Sequence, residues 1–361
     1  LQDEPLLSAL HWRQAGKLDK AWTLELGDAK TQLERGLLQS GLTLLEAIIQ
    51  EAPKEHALRL GALLLAGSYL VYLDMQRADV YLNEVLNTPA LELPLKVRAL
   101  LALVDNAVYQ GDMTKARHFI ARAELQDISD SELRLSLEHQ RLEVMLRSSE
   151  FEKAEAHLPN VYALDKNNIA TQSYEAQLRY YQARFAEAAA LFEKMRQQDP
   201  DCVRRLTLEN DLGTTYWTLG ELTKAEAELQ KSLETWRGSA HVEALSHMHL
   251  SFVRMTQGRT REALGLAEEA IDYSRRLGSL TFEADATHHL GVIYFQNGQL
   301  AKAREWMECA LQQMRGVGDL YRESRILSTL LGVYAMLGDS VAAERTVSEV
   351  EAILNVTSNP L

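Results

Sequence analysis

Five of the ten histidines, His241, His247, His249, His288 and His289, crowd into two neighbouring stretches of a 361-residue chain. Imidazole is a common metal ligand and titrates near physiological pH, so the cluster is compatible with a metal site or a pH-responsive group. No cysteine pair or carboxylate at tetrahedral spacing completes it, and the zinc signature His-Glu-x-x-His is absent. A simpler reading treats His249 and His289 as polar residues placed one position before the apolar Leu250 and Leu290. Paired carboxylates such as Glu268-Glu269, or Glu226 with Glu228, suit general acid and base chemistry, but their spacing puts them on the solvent face of a helix. Arg204-Arg205 and Arg275-Arg276 read as solvated helix ends. Nucleophile elbow, glycine-rich phosphate loop, Walker A pattern and Cys/His pairing are all missing, so no catalytic, metal or cofactor residues are expected.

What the sequence does contain is a repeat. Segments such as Gly220-Glu-Leu-Thr-Lys-Ala225, Gly258-Arg-Thr-Arg-Glu-Ala263, Gly298-Gln-Leu-Ala-Lys-Ala303 and Gly338-Asp-Ser-Val-Ala-Ala343 share one design. Anchored on the small residue, the series runs Ala21, Gly41, Ala78, Ala116, Ala154, Ala188, Ala225, Ala263, Ala303 and Ala343, with gaps of 20, 37, 38, 38, 34, 37, 38, 40 and 40. Leu212-Gly213, Leu250-Ser251 and Leu290-Gly291 precede the turn, and Tyr216, Tyr294 and Tyr334 stand four residues before it, where Arg254 takes the same place. Small residues at Gly213, Gly291, Ala225, Ala263 and Ala303 let paired helices approach closely. No stretch alternates long enough for a sheet, and Pro53, Pro89, Pro159 and Pro200 are expected to close second helices.

This pattern resembles the tetratricopeptide repeat in a variant of roughly 40 residues. The resemblance implies an all-α, right-handed superhelical solenoid of about twenty helices in antiparallel pairs. Along it, residues 1–53 form atypical entry helices (Leu6–Gln14, Leu18–Leu26, Ala29–Gln39 and Leu42–Glu51), 54–200 degenerate units, 201–355 regular units and 356–361 a frayed tail. It also implies that first helices line a concave face through residues two before, two after and five after the buried leucine. Those are Asn210, Thr214 and Trp217; Met248, Phe252 and Met255; His288, Val292 and Phe295; then Ser328 and Gly332. The aromatic and methionine side chains suit a peptide or a small amphipathic effector, or else they pack on one another. Arg254 either enters that face or snorkels out of the wall.

The entry segment carries a second resemblance. Ala9-Leu10-His11-Trp12, Gln14-Ala15-Gly16-Lys17, Lys20-Ala21-Trp22 and Leu44-Leu45-Glu46-Ala47-Ile48 are similar to the stretch that follows the ATPase in STAND-type bacterial transcription regulators, such as the maltose-regulon activator. That implies a non-enzymatic effector sensor, with any ATPase or DNA-binding module outside this stretch. The alternative is a free-standing scaffold or peptide receptor. A first residue of Leu is what a piece of a longer chain would show.

Net charge of −13 and a pI near 5.3 argue against binding nucleic acid and favour protein, peptide or small-effector partners, self-association included. Cys202 and Cys309 lie too many repeats apart for a disulfide, which fits a reducing cytoplasm. The longest apolar run, residues 61–73, falls short of the roughly 20 residues of a membrane span. Asn355-Val-Thr357 matches a glycosylation sequon that a cytoplasmic chain does not use.

Overall fold

A computed structural model describes residues 5–358 except 36, 72, 90, 111, 149, 200–206, 238–239, 278–279 and 318–319. Arg204, Arg205 and Cys202 therefore lie outside the described residues, as do Pro200, Pro360 and the glycine connections at 278–279 and 318–319. So do the side chains of His241, Asn355 and Thr357. Every regular element among the described residues is an α-helix, and there are nineteen. In chain order they are α1 (Pro5–Gln14), α2 (Leu18–Glu34), α3 (Leu38–Glu51), α4 (Ala57–Leu70), α5 (Met75–Leu86), α6 (Leu93–Tyr109), α7 (Met113–Glu124), α8 (Ser131–Arg147) and α9 (Phe151–Leu164). They continue as α10 (Ile169–Tyr181), α11 (Phe185–Gln198), α12 (Leu208–Thr218), α13 (Leu222–Thr235), α14 (Ala240–Thr256), α15 (Thr260–Leu277), α16 (Leu280–Gln296), α17 (Leu300–Val317), α18 (Leu320–Leu337) and α19 (Ser340–Ser358).

The helices group into two compact units. Unit 1 holds residues 1–109 and 115–144, and unit 2 holds 110–114 and 145–361. In unit 1, α2 packs on α3 and α4 on α5, while α2, α4 and α6 also touch in sequence. In unit 2, the pairs are α10 with α11, α12 with α13, α14 with α15, α16 with α17 and α18 with α19.

Close approach within a pair is set by size. A Cβ on Gly213 would stand 2.5 Å from Leu229 Cγ, one on Gly291 2.6 Å from Met307 Cγ, and one on Gly67 2.7 Å from Leu82 Cγ. Each glycine is on a first helix, and its partner stands four residues after the anchor alanine of the second. At the equivalent places on α14 and α15 the sizes are exchanged: Ser251 replaces glycine and Ala267 replaces the long side chain, both buried. Ala78, Ala116, Ala154, Ala188, Ala225, Ala263 and Ala303 have no exposed surface, so none has room for a larger group.

Turns follow the same logic. Gly220, Gly258, Gly298 and Gly338 adopt φ of 75°, 76°, 74° and 73°, the left-handed region where a side chain is strained. In the first of them the Glu221 N–H donates to the Tyr216 carbonyl at 2.9 Å and the Gly220 N–H to the Trp217 carbonyl at 3.0 Å, closing the helix with a Schellman motif. Ala183 holds the same geometry between α10 and α11 with φ of 59°, and Arg184 N–H reaches the Arg179 carbonyl at 2.8 Å.

At four turns the residue four before the turn ties its pair to the preceding second helix. Tyr216 donates to Glu193 Oε1 at 2.8 Å and Tyr334 to Glu308 Oε1 at 2.8 Å. Arginine does the same work by another route, with Arg179 on Glu155 at 2.6 Å and Arg254 paired with Glu226. The tyrosines reach the glutamate five residues after the anchor, the arginines the one immediately after it.

Three expectations need correction. The stretches 18–26 and 29–39 are not two helices: Gly27 and Asp28 lie inside the single α2, because a lone glycine lowers helix propensity by only about 1 kcal/mol and the core residues Trp22, Ala29 and Leu33 stay on one face. Ala21 follows the left-handed Gly16 by five residues and is fully buried as the later anchors are, so α1 and α2 pair through a turn of the same kind, while α2 also pairs with α3 and touches α4. Pro159 does not close α9 but lies inside it; the Glu155 carbonyl it leaves without a helical donor belongs to an exposed residue. Glu226 and Glu228 do not simply face solvent: Glu226 pairs with Arg254, and Glu228 accepts from Arg196 at 2.8 Å.

Two substitutions test this account of the backbone. Ala183→Gly relieves a left-handed alanine on an exposed turn and is expected to stabilise by about 0.5–1 kcal/mol, read as a raised Tm. Gly213→Val drives a branched side chain into Leu229 and is expected to cost at least about 1–3 kcal/mol in chemical denaturation.

Candidate functional site

In unit 2 the first helices lie side by side, α12 against α14, α14 against α16 and α16 against α18, and form one wall. Their shared register is counted back from the turn residue of each pair. Three before it stand Trp217, Met255 and Phe295; six before, Thr214, Phe252, Val292 and Gly332; nine before, Asp211, His249, His289 and Thr329; ten before, Asn210, Met248, His288 and Ser328.

Contacts run diagonally across this lattice. Trp217 stacks on Phe252 with ring centroids 5.3 Å apart and planes 15° from parallel, and Phe252 meets His289 at 4.6 Å. The Trp217 indole N–H donates to Thr256 Oγ1 at 2.9 Å, which fixes the ring edge. Phe295 lies over Gly332, where an added Cβ would stand 3.6 Å from the ring. Trp217, Met255, Phe295, Thr214, Phe252 and Val292 are all half-buried, so the expected face residues form a continuous surface on α12, α14 and α16.

The positions ten before the turn behave otherwise. Asn210, Met248 and His288 are buried between neighbouring helices and do not face outward as expected. Met248 joins the apolar core. The Asn210 side chain donates through Nδ2 to Ser246 Oγ at 3.0 Å, Ser246 meets Ser232 at 2.9 Å, and Asn210 Oδ1 lies 2.6 Å from His249 Nδ1. His288 Nε2 lies 2.7 Å from Thr329 Oγ1. Because the Thr329 hydroxyl already donates to the Ile326 carbonyl at 2.8 Å, it accepts from His288, which fixes the proton on Nε2. Arg254 neither enters the wall nor snorkels away. It is buried beside Glu226 and Glu262, for the reason that gives Tyr216 its glutamate.

His249, His288 and His289 form a neutral group. Burial, reinforced by the nearby Arg325 charge, pushes His249 and His288 down to about 4 and His289 well below its ordinary value. Among the described residues no cluster of three metal-ligating side chains exists, and the adjacent guanidinium disfavours a cation there.

Sequence reading missed the charges of this wall. Among the described residues Asp211, half-buried on α12, has no hydrogen-bond or ion-pair partner for its carboxylate, and burial lifts it to about 7. At the other side Asp285 on α16 serves two guanidiniums from α18, Arg322 at 3.0 Å and Arg325. The register of Asp211, shared with His249 and His289, was the available signal. Unit 1 holds a comparable group: Asp105 on α6 accepts from Gln140 on α8 at 2.8 Å, and burial raises it to about 7.

Comparisons with known proteins agree with this geometry. Residues 175–240 and 282–355 match models of the tetratricopeptide repeat. The fold is an all-α tetratricopeptide-repeat solenoid. A crystal structure of Rap protein complexed with competence and sporulation factor aligns with a TM-score of 0.55 at 11% identity, covering 73% of this chain and 78% of that one. BtubC (BKLC) from P. vanneervenii aligns at 22% identity over 63% of this chain and 95% of its own, with a TM-score of 0.43 that carries no argument. No curated protein matches the sequence. Among the described residues no helix of the repeat array is long and apolar enough to cross a membrane.

Asp211 supplies a pH test. A carboxylate raised from its unfolded value near 3.9 leaves the folded state unaffected below pH 4. As pH rises from about 4 to 7, the unfolded chain ionises first and stability falls. Asp211→Asn removes that penalty, so its unfolding free energy from chemical denaturation is expected to match wild type at pH 4 and exceed it by at least about 1 kcal/mol at pH 8.

Proposed function

We propose that this chain is a non-enzymatic peptide receptor whose ligand lies along the first-helix wall of α12, α14, α16 and α18. One observation carries the reading: Trp217, Phe252, Met255, Val292 and Phe295 present a half-buried apolar strip that continues across three repeats. A strip of this kind lets side chains of an extended segment alternate between aromatic contacts and the polar register beside it. The Rap protein, similar in fold alone, was solved in complex with competence and sporulation factor, and a bound factor on that fold supports a receptor role.

A small-effector sensor from a STAND-type bacterial cytoplasmic regulator is the second reading. It rests on the entry-segment resemblance, and α2, which pairs with both α1 and α3, supports a specialised end at that place. In that case the ligand shifts the array between two arrangements of its pairs and the entry helices pass the change on.

Selection of a displayed random nonapeptide library on the full chain, followed by calorimetry with synthesised winners, separates the two. The receptor reading expects sequence-selective binding that Trp217→Ala with Phe295→Ala weakens at least about tenfold while helicity by circular dichroism stays unchanged. Binding that the double substitution leaves intact removes this wall as the site. Absence of peptide binding together with saturable binding of a small metabolite transfers the assignment to the sensor.

A further inference from the structure

The donors nearest Asp211, along α12 and in its own row of the wall, are all engaged elsewhere. The Thr214 hydroxyl donates to the Asn210 carbonyl at 2.8 Å and the Thr215 hydroxyl to the Asp211 carbonyl at 2.7 Å, so both serve the backbone. Asn210 Nδ2 donates to Ser246 Oγ, which leaves Asn210 Oδ1 to accept the Nδ1 proton of His249. His249 stands on α14 in the same row as Asp211. Burial keeps it neutral, its remaining nitrogen Nε2 is an acceptor, and it supplies the carboxylate with neither a donor nor a charge. Among the described residues the half-buried Asp211 carboxylate is thus left without a partner, although an unpaired acid in such a place is costly.

The surroundings of that carboxylate suit an organic cation. Tyr180 on α10, three residues before the Ala183 turn, is half-buried and packs with Trp217 against one apolar cluster. Burial, then Tyr181 and the Asp211 charge, hold its phenol above the ordinary value, so ring and carboxylate are electrostatic neighbours. Among the described residues the Tyr180 hydroxyl makes no hydrogen bond, and its ring offers the π-face that attracts ammonium and guanidinium groups. A metal ion is disfavoured, because no group of three His, Cys, Asp or Glu side chains able to hold one exists among the described residues. The net charge of −13 draws cationic ligands towards the chain. We infer that Asp211, with the Tyr180 ring beside it, anchors the ammonium or guanidinium of a bound peptide at the α12 side of the wall. The inference rests on the receptor reading above and specifies its ligand. A cation there supplies the counter-charge that no neighbouring side chain gives, and the apolar stack of Trp217 and Phe252 takes the residues next to it.

The test uses the winners of the nonapeptide selection on the full chain, each synthesised with its amino terminus free, with it acetylated, and with every Lys or Arg changed to Gln. Calorimetry is expected to show that Asp211→Asn weakens the parent peptide about tenfold and leaves the analogue lacking the bound cation unaffected. Loss of that sensitivity in the Gln analogue assigns the cation to a basic side chain, and loss of it in the acetylated peptide assigns it to the amino terminus; either result supports the site. Circular dichroism and melting exclude a folding defect, since Asp211→Asn removes an unpaired charge and is expected to fold at least as well as wild type. Winners that Asp211→Asn binds as wild type does, or whose affinity survives removal of every cation, overturn the cation site while the receptor reading stands. Failure to select any peptide overturns both.

Discussion

Everything in this protein depends on how near two helices of a pair can come. Gly213 beneath Leu229, Gly291 beneath Met307 and Gly67 beneath Leu82 allow a contact that one methyl group would obstruct. With that separation fixed, each pair presents a repeatable shape to the next, and the first helices fall into one register. Register then decides which side chains share a surface. Trp217, Phe252 and His289 meet because they stand three, six and nine residues before their respective turns.

The wall that results is built from residues with divided duties. Residues ten before the turn close the seams between first helices: Asn210 through a serine pair, Met248 through the core, His288 through Thr329. Those three and six before it remain partly open. A neutral histidine in such a seam is stable because its ring is desolvated beside a guanidinium, so it contributes hydrogen bonding and ring contact without charge. Ionic character is left to Asp211 on one side and to the Arg322, Arg325 and Asp285 group on the other.

The repeat was legible because its signals are local. A glycine with φ near 75° and an alanine five residues later are each demanded by the immediate backbone and its closest partner. The aromatic strip was legible for the same reason, since it follows from helix period alone. Where local rules conflict, the sequence misleads: Gly27 and Asp28 read as a break, yet the apolar face of α2 on either side holds the helix together. Pro159 reads as a terminus, yet an exposed carbonyl tolerates it. Asp285 and Arg325 are 40 residues apart, and their pairing depends on the stacking of adjacent repeats, which spacing within one repeat does not encode.

The ties between consecutive pairs differ in kind. Tyr216 and Tyr334 hold their glutamates with an uncharged donor, whereas Arg179 and Arg254 hold theirs with full charges. Dissolved ions weaken attraction between charges and leave a phenol's hydrogen bond almost untouched. The joint at α9–α10, where Arg179 meets an exposed Glu155, is thus open to screening, as are α15–α16 and α17–α18, where Arg275–Glu283 and Arg315–Glu323 pair at 2.9 Å, while the buried Arg254 pair at α13–α14 is shielded. A chain of near-identical links acquires, through the ion pairs left at its surface, specific points where the solvent's composition alters its stiffness.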